Sequence, residues 1–254
     1  MSDELSIQVN TSVSGFHYST VPMDYLANFG ASEQTLAQVV VDISGSTSSF
    51  YKELIDSLNM TLEACKKHPR SENVMLRVLT FNSHGVSEIH GFMPVNSIDP
   101  TIYQKIATPN GFTPLYQAFQ DSLEALHEYA VDLTKNQFSC NAVTFVVTDG
   151  EENGSDSRFS VKTVKSMIDK LKQNDPLESF TSILIGINDA GCRSSLIQFK
   201  DSVGIDDYKS IEDASNGKLA KLAKFVSQSI STASVSLNQR SSQTVSQQVA
   251  SLSI

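Results

Sequence analysis

Two apolar, β-branched runs that each end in an aspartate constrain the fold of this chain more than any other feature. Residues 39–42 read VVVD, and residues 142–149 read AVTFVVTD. A continuous run of this kind is typical of a strand that is buried on both faces, as in the parallel sheets of α/β proteins. Polar residues follow each run, so each aspartate is expected where its strand ends.

Helical periodicity alternates with such strands along most of the chain. Apolar residues recur at helical spacing from residues 50, 115, 161 and 219, and a short helix is predicted over residues 192–202. Further strands are predicted over residues 74–81, 86–92, 180–187 and 207–211. The short turn between the first two of these makes them an antiparallel hairpin. We therefore predict an α/β fold, a doubly wound, Rossmann-like, mostly parallel sheet with one antiparallel edge hairpin.

The 254 residues divide into one predicted domain and two flanks. The domain covers residues 36–230, and an N-terminal extension with a possible edge strand covers residues 1–35. Residues 231–254 form a Ser/Gln-rich tail, a composition typical of disordered segments. In the alternative, part of the tail folds on a partner, because three apolar residues have helical spacing: Val245, Val249 and Leu252.

Charge and cysteine content exclude several function classes. Lys plus Arg is 19 and Asp plus Glu is 28, so the net charge of −9 argues against a nucleic-acid-binding protein. The cysteines form no CxxC pair, which argues against a zinc ribbon or a disulfide framework. The first residues lack a signal-peptide pattern, and no apolar run is long enough for a membrane span. These features together predict a cytoplasmic protein with no membrane or nucleic-acid partner.

Five oxygen-bearing side chains lie at the predicted strand ends or in loops at the same edge of the sheet. Asp42, Ser44 and Ser46 form an Asp-x-Ser-x-Ser pattern, Thr113 ends a loop before a helix, and Asp149 follows the second apolar run. Sites in doubly wound sheets form at the C-terminal ends of the strands. Carboxylate, hydroxyl and water oxygens are ligands that Mg²⁺ prefers. The pattern therefore predicts a divalent metal site.

This set of residues resembles the metal-ion-dependent adhesion site of the von Willebrand factor A (vWA) domain. The resemblance covers roughly residues 36–230 and implies that Ser44, Ser46 and Thr113 bind the cation directly or through water. It also implies that Asp42 and Asp149 act largely through water, and that an open coordination position accepts an Asp or Glu of a protein partner. Mg²⁺ or Mn²⁺ is expected rather than Ca²⁺ because the site has few carboxylates.

A narrower resemblance concerns the stand-alone bacterial vWA proteins associated with tellurite resistance and chemical stress. Residues 225–231 (FVSQSIS) and residues 112–115 (FTPL) are similar to segments of those proteins. The resemblance implies an intracellular module that works beside ATPases, kinases or phosphatases in multi-protein complexes. The oligomeric state is left open.

Other interpretations of the same residues are retained. Ser44, Ser46 and Thr113 are acceptable helix caps, and Asp149 followed by glycine is a common turn. A Mg²⁺-dependent hydrolase of the phosphatase type is one alternative function, although Ser44 stands where the haloacid dehalogenase pattern needs a second aspartate. A scaffold with a vestigial metal site is another. Three acidic residues near Asp149 are expected to be solvated loop charges or, in the alternative, to tune the metal affinity: Glu151, Glu152 and Asp156.

Overall fold

A computed structural model describes residues 7–12, 15–27, 32–173, 176–236, 247–248 and 251–252. It contains one eight-stranded sheet with the order β1-β2-β5-β4-β3-β6-β7-β8. The strands are β1 Gln8–Thr11, β2 His17–Thr20, β3 Glu33–Asp42, β4 Val74–Asn82, β5 Gly85–Pro94, β6 Ser139–Thr148, β7 Ser179–Ile187 and β8 Asp207–Ile211.

Helices connect the strands and cover both faces of the sheet. They are α1 Met23–Ala27, α2 Tyr51–Lys66, α3 Leu115–Lys135, α4 Val161–Leu171, α5 Arg193–Val203 and α6 Asn216–Ser236. Strands β4, β3, β6, β7 and β8 are parallel in succession, while β4 pairs with β5 antiparallel. The predicted fold class is therefore confirmed. Within the described residues, no helix combines the length and apolarity needed to cross a membrane.

Strand β3 shows why the sheet must be covered on both sides. Its residues point alternately to the two faces, so Leu36 and Val40 join one core cluster while Val39 and Val41 join the other. Helices α3, α4 and α5 complete the first cluster, and helices α2 and α6 complete the second. This two-sided burial explains the uninterrupted apolar runs in the sequence.

The N-terminal segment extends the sheet beyond the predicted hairpin. Strands β1 and β2 pair antiparallel with each other, and β2 joins β5 in parallel where Thr20 is opposite Phe92. The predicted β4–β5 hairpin is present, but its predicted position at the edge is wrong, because β1 and β2 lie outside it. The possible edge strand of the N-terminal extension is present as β1.

The C-terminal flank is described only in part. Helix α6 continues to Ser236, six residues beyond the predicted end of the domain at residue 230, because apolar residues such as Ala233 still pack in the core. Val245 and Val249 lie outside the described residues. Leu252 is partly buried against the core cluster that contains α2 and α6. The division at residues 36 and 230 stays a prediction.

A buried ion pair ties the N-terminal strands to the hairpin. The guanidinium of Arg77 on β4 is completely buried, and its Nε donates to Glu88 Oε2 of β5 at 2.7 Å. The other carboxylate oxygen of Glu88 accepts from the backbone N–H of Ser19 on β2 at 2.7 Å. Three aromatic rings face the guanidinium at 5.4 to 5.9 Å: Phe16, Tyr18 and Phe92. The position of β2 thus depends on the charge of Arg77.

Removing the counter-charge of Arg77 should destabilise the protein strongly. Glu88→Gln leaves a buried cation without its anion, and we expect the free energy of unfolding to fall by about 3–5 kcal/mol. Urea denaturation measures this change. The matched control is Asp169→Asn, which breaks the half-exposed pair with Lys165 and should cost less than about 1 kcal/mol. Equal losses in the two variants would contradict the assignment.

Candidate metal centre

Parallel pairing of β3 and β6 brings the two strand-end aspartates together. Val41 of β3 is opposite Val147 of β6, so Asp42 and Asp149 leave neighbouring strands at the same edge of the sheet. Asp42 is 1% exposed, whereas Asp149 is half-buried and Ser46 is exposed. The cluster therefore has a buried base and one side that is open to solvent.

Hydrogen bonds connect four of the five predicted site residues. The backbone N–H of Ser44 donates to Asp42 Oδ1 at 2.7 Å, and the hydroxyl oxygens of Ser44 and Ser46 are 3.1 Å apart. The Ser46 hydroxyl donates to Asp149 Oδ1 at 2.7 Å. The structure thus brings Asp42, Ser44, Ser46 and Asp149 into one continuous cluster of oxygen atoms.

Thr113 lies at the same edge of the sheet, in a loop that is hydrogen-bonded to the loop that follows β6. In the loop at residues 106–114, Gly111 has a φ of +72° and accepts a hydrogen bond from the N–H of Gly45 at 3.1 Å. In the loop at residues 149–160, Asn153 Oδ1 accepts from the N–H of Thr113 at 2.7 Å. A Cβ atom on Gly150 would lie 3.5 Å from the Thr113 hydroxyl. Thr113 therefore faces the loop that begins at Asp149.

The helix-cap interpretation of the hydroxyl residues is not supported. Ser44 stands at the N-cap of the 3-10 turn Gly45–Phe50, but its side chain makes no capping hydrogen bond. Pro114, not Thr113, is the N-cap residue of α3, also without a side-chain cap. The hydroxyls of Ser44 and Ser46 instead point into the cluster with Asp149.

The pKa values of both aspartates in the cluster are raised. Burial raises the pKa of Asp42 to about 6, hydrogen bonds from Thr148 and Ser44 oppose this rise, and the charge of Asp149 adds to it. Burial also raises the pKa of Asp149, against the hydrogen bond from Ser46. Two partly desolvated carboxylates close to each other favour a bound cation, because a cation stabilises their ionised forms.

The donor set fits a hard divalent ion. Two carboxylates and three hydroxyls supply only oxygen, as Mg²⁺ and Mn²⁺ prefer. In the part of the chain that the structure describes, no group of three or more His, Cys, Asp or Glu side chains is placed to bind a metal. A metal site in this region would therefore rely on Ser44, Ser46 and Thr113 as well as on the carboxylates.

The structure adds supporting residues that sequence reasoning missed. The Thr148 hydroxyl donates to Asp42 Oδ2 at 2.6 Å and so fixes the carboxylate across the strand pair. Glu152 was expected to be a solvated charge, which is wrong: it accepts from the N–H groups of Tyr116 and Ser155 at 2.8 and 2.6 Å. Its place before a glycine-containing turn was the available signal. Glu151 is exposed, as expected.

Comparisons with known proteins identify the fold but no family. No protein-family model matches the chain, and no curated protein matches it. Among solved structures, the manganese-loaded TRAP protein of Plasmodium vivax is 20% identical, with a TM-score of 0.51 over 78% of this chain and 74% of that chain. The chain has a vWA-like fold.

Two further structures show the same fold in other contexts. The PilB minor pilin from Streptococcus sanguinis is 13% identical, with a TM-score of 0.56 over 81% of this chain and 63% of the pilin. Proximal thread matrix protein 1 from the mussel byssus is 18% identical, with a TM-score of 0.54 over 80% of this chain and 47% of that protein. This chain thus spans about half to two thirds of their lengths.

The raised pKa of Asp42 predicts a specific pH dependence for the metal-free protein. Between pH 4 and pH 6 the folded state holds a proton on Asp42 that the unfolded state has lost, so stability falls as pH rises. A pKa shift from 3.8 to about 6 corresponds to about 3 kcal/mol. We expect Asp42→Asn to remove this loss, measured by urea denaturation in EDTA from pH 4 to pH 7. Parallel pH profiles for the two proteins would contradict the prediction.

Proposed function

We propose that this protein is a metal-dependent protein-interaction module. A divalent cation is held by Asp42, Ser44, Ser46, Thr113 and Asp149, and an acidic side chain of a partner completes its coordination. The function is binding without chemical turnover. The observation that carries the proposal is the continuous oxygen cluster at the ends of β3 and β6, in which a buried and a half-buried carboxylate lie close to each other.

The exposure of the cluster supports access by a partner. Asp42, Ser44 and Thr113 are buried, whereas Ser46 is exposed and Asp149 is half-buried. A cation held from the buried side would therefore face solvent on the other side. Since few carboxylates surround it, the bound ion would stay electrophilic towards an incoming carboxylate.

Mg²⁺ and Mn²⁺ are the proposed ions, and Ca²⁺ is less suitable. Ca²⁺ takes six to eight oxygen ligands, often from bidentate carboxylates, whereas Mg²⁺ retains several waters and needs only one or two carboxylates. The structurally similar TRAP protein is manganese-loaded. Its likeness, and that of the PilB minor pilin and a pilus adhesin, supports a binding role for this fold.

The narrower part of the proposal concerns the cellular setting. The resemblance of residues 225–231 and 112–115 to stand-alone bacterial vWA proteins supports a cytoplasmic complex that responds to chemical stress. It also supports an ATPase, kinase or phosphatase as a neighbour in that complex. In the structure, residues 225–231 lie within α6, whose Phe225 is buried against Phe145 of β6, so this resemblance concerns the core of the domain.

Metal binding should raise the melting temperature, and this effect should require the hydroxyl of Thr113. With Mg²⁺ or Mn²⁺ at 100 times the dissociation constant, binding adds about 2.7 kcal/mol to the stability of the folded state. Thr113→Ala should lose most of this stabilisation, measured by scanning calorimetry with the metal and with EDTA. The control is Thr108→Ala, an exposed threonine of the same loop, which should keep the full shift. Absence of any shift in the wild type would reject the metal site.

A further inference from the structure

Phe112 is a large apolar residue that is exposed to solvent next to Thr113 of the proposed metal site. It is 63% exposed and directly precedes Thr113 in the 106–114 loop. The other large apolar side chains that are exposed among the described residues lie outside the two loops of the site: Ile7, Val9, Met60 and Ile197. Exposed aromatic residues at the centre of a functional surface are typical of binding hot spots.

The backbone that carries Phe112 is held on both sides. Before it, Gly111 accepts a hydrogen bond from the N–H of Gly45 at 3.1 Å. After it, the N–H of Thr113 donates to Asn153 Oδ1 at 2.7 Å, and the N–H of Asn153 donates to the Thr113 carbonyl at 3.1 Å. The loop therefore does not need to be ordered when a ligand binds, which favours affinity.

Phe112 also contacts the second loop of the site. A Cβ atom on Gly154 would lie only 3.0 Å from the Cβ of Phe112, so the two loops are in close contact there. Glu151, two residues after Asp149 in the same loop, is an exposed acidic residue. The two loops around the proposed cation thus carry an exposed aromatic ring and an exposed acidic group.

We propose that Phe112 selects the partner of the metal site: an acidic residue whose carboxylate binds the cation and whose neighbouring group is apolar and packs on the ring. This inference rests on the proposed metal-dependent function. A second acidic group of the ligand is disfavoured near the loop that begins at Asp149, because the charge of Glu151 would repel it. Aromatic packing on Phe112 should therefore add affinity that a bare carboxylate lacks.

Small carboxylates provide a test that does not require the natural partner. Acetate, 3-phenylpropionate and 4-phenylbutyrate are titrated into the full chain with Mg²⁺ or with EDTA, and the Kd is measured from amide NMR shifts. In the wild type, at least one phenyl-bearing acid should bind about three- to tenfold more tightly than acetate, and only with Mg²⁺. Phe112→Ser should reduce this ratio to about one and leave the Kd of acetate within about twofold.

Two further variants separate packing from general surface effects. Phe112→Leu retains an apolar side chain and should preserve part of the preference. Met60→Ser, an exposed apolar residue on α2, should preserve all of it. A ratio of one in the wild type, or an unchanged ratio in Phe112→Ser, overturns the role of Phe112 while acetate still binds with Mg²⁺. If acetate binding does not depend on Mg²⁺, the proposed function itself fails, and the inference fails with it.

Discussion

The parallel pairing of β3 with β6 is the constraint on which the site depends. It sets Val41 opposite Val147, so Asp42, the next residue of β3, and Asp149, which directly follows the last residue of β6, lie at the same edge of the sheet. Two carboxylates held so close would repel each other in a dry environment, and burial already raises the pKa of both. The sheet tolerates this because Thr148 and the serines donate hydrogen bonds to the carboxylates. A bound cation would reduce the remaining repulsion between the two carboxylates.

The strands and the loops around the cluster position different parts of the site. The strands fix the aspartates, whereas the 106–114 and 149–160 loops fix each other through Thr113 and Asn153. Glu152 ties the second loop to the start of α3, because it accepts hydrogen bonds from the N–H of Ser155 within the loop and from the N–H of Tyr116. As a result, the exposed side of the site is built from loops whose backbones are already ordered. Such a surface is preorganised for binding a ligand.

On β4, the neighbour of β3 on the side away from β6, Arg77 shows how a single buried charge organises a region. Its pair with Glu88 also anchors Ser19, and the rings around it come from both the N-terminal segment and β5. The sequence does not predict this role, because Arg77 is a single charged residue within an otherwise apolar strand and its partners are distant in the chain or on other strands. The desolvation cost of burying this charge is offset only when the folded chain places Glu88 and the aromatic rings against it.

The sequence by itself determined the alternation of strands and helices and the identity of the oxygen-bearing side chains. Periodicity and β-branched runs record which residues are buried, and this is a local property. The tertiary structure decided which strands are neighbours, that β1 and β2 extend the sheet beyond the hairpin, and that Thr148 hydrogen-bonds to Asp42. These features depend on contacts between residues far apart in the chain. Packing of both faces of the sheet selects such contacts, and no local pattern encodes them.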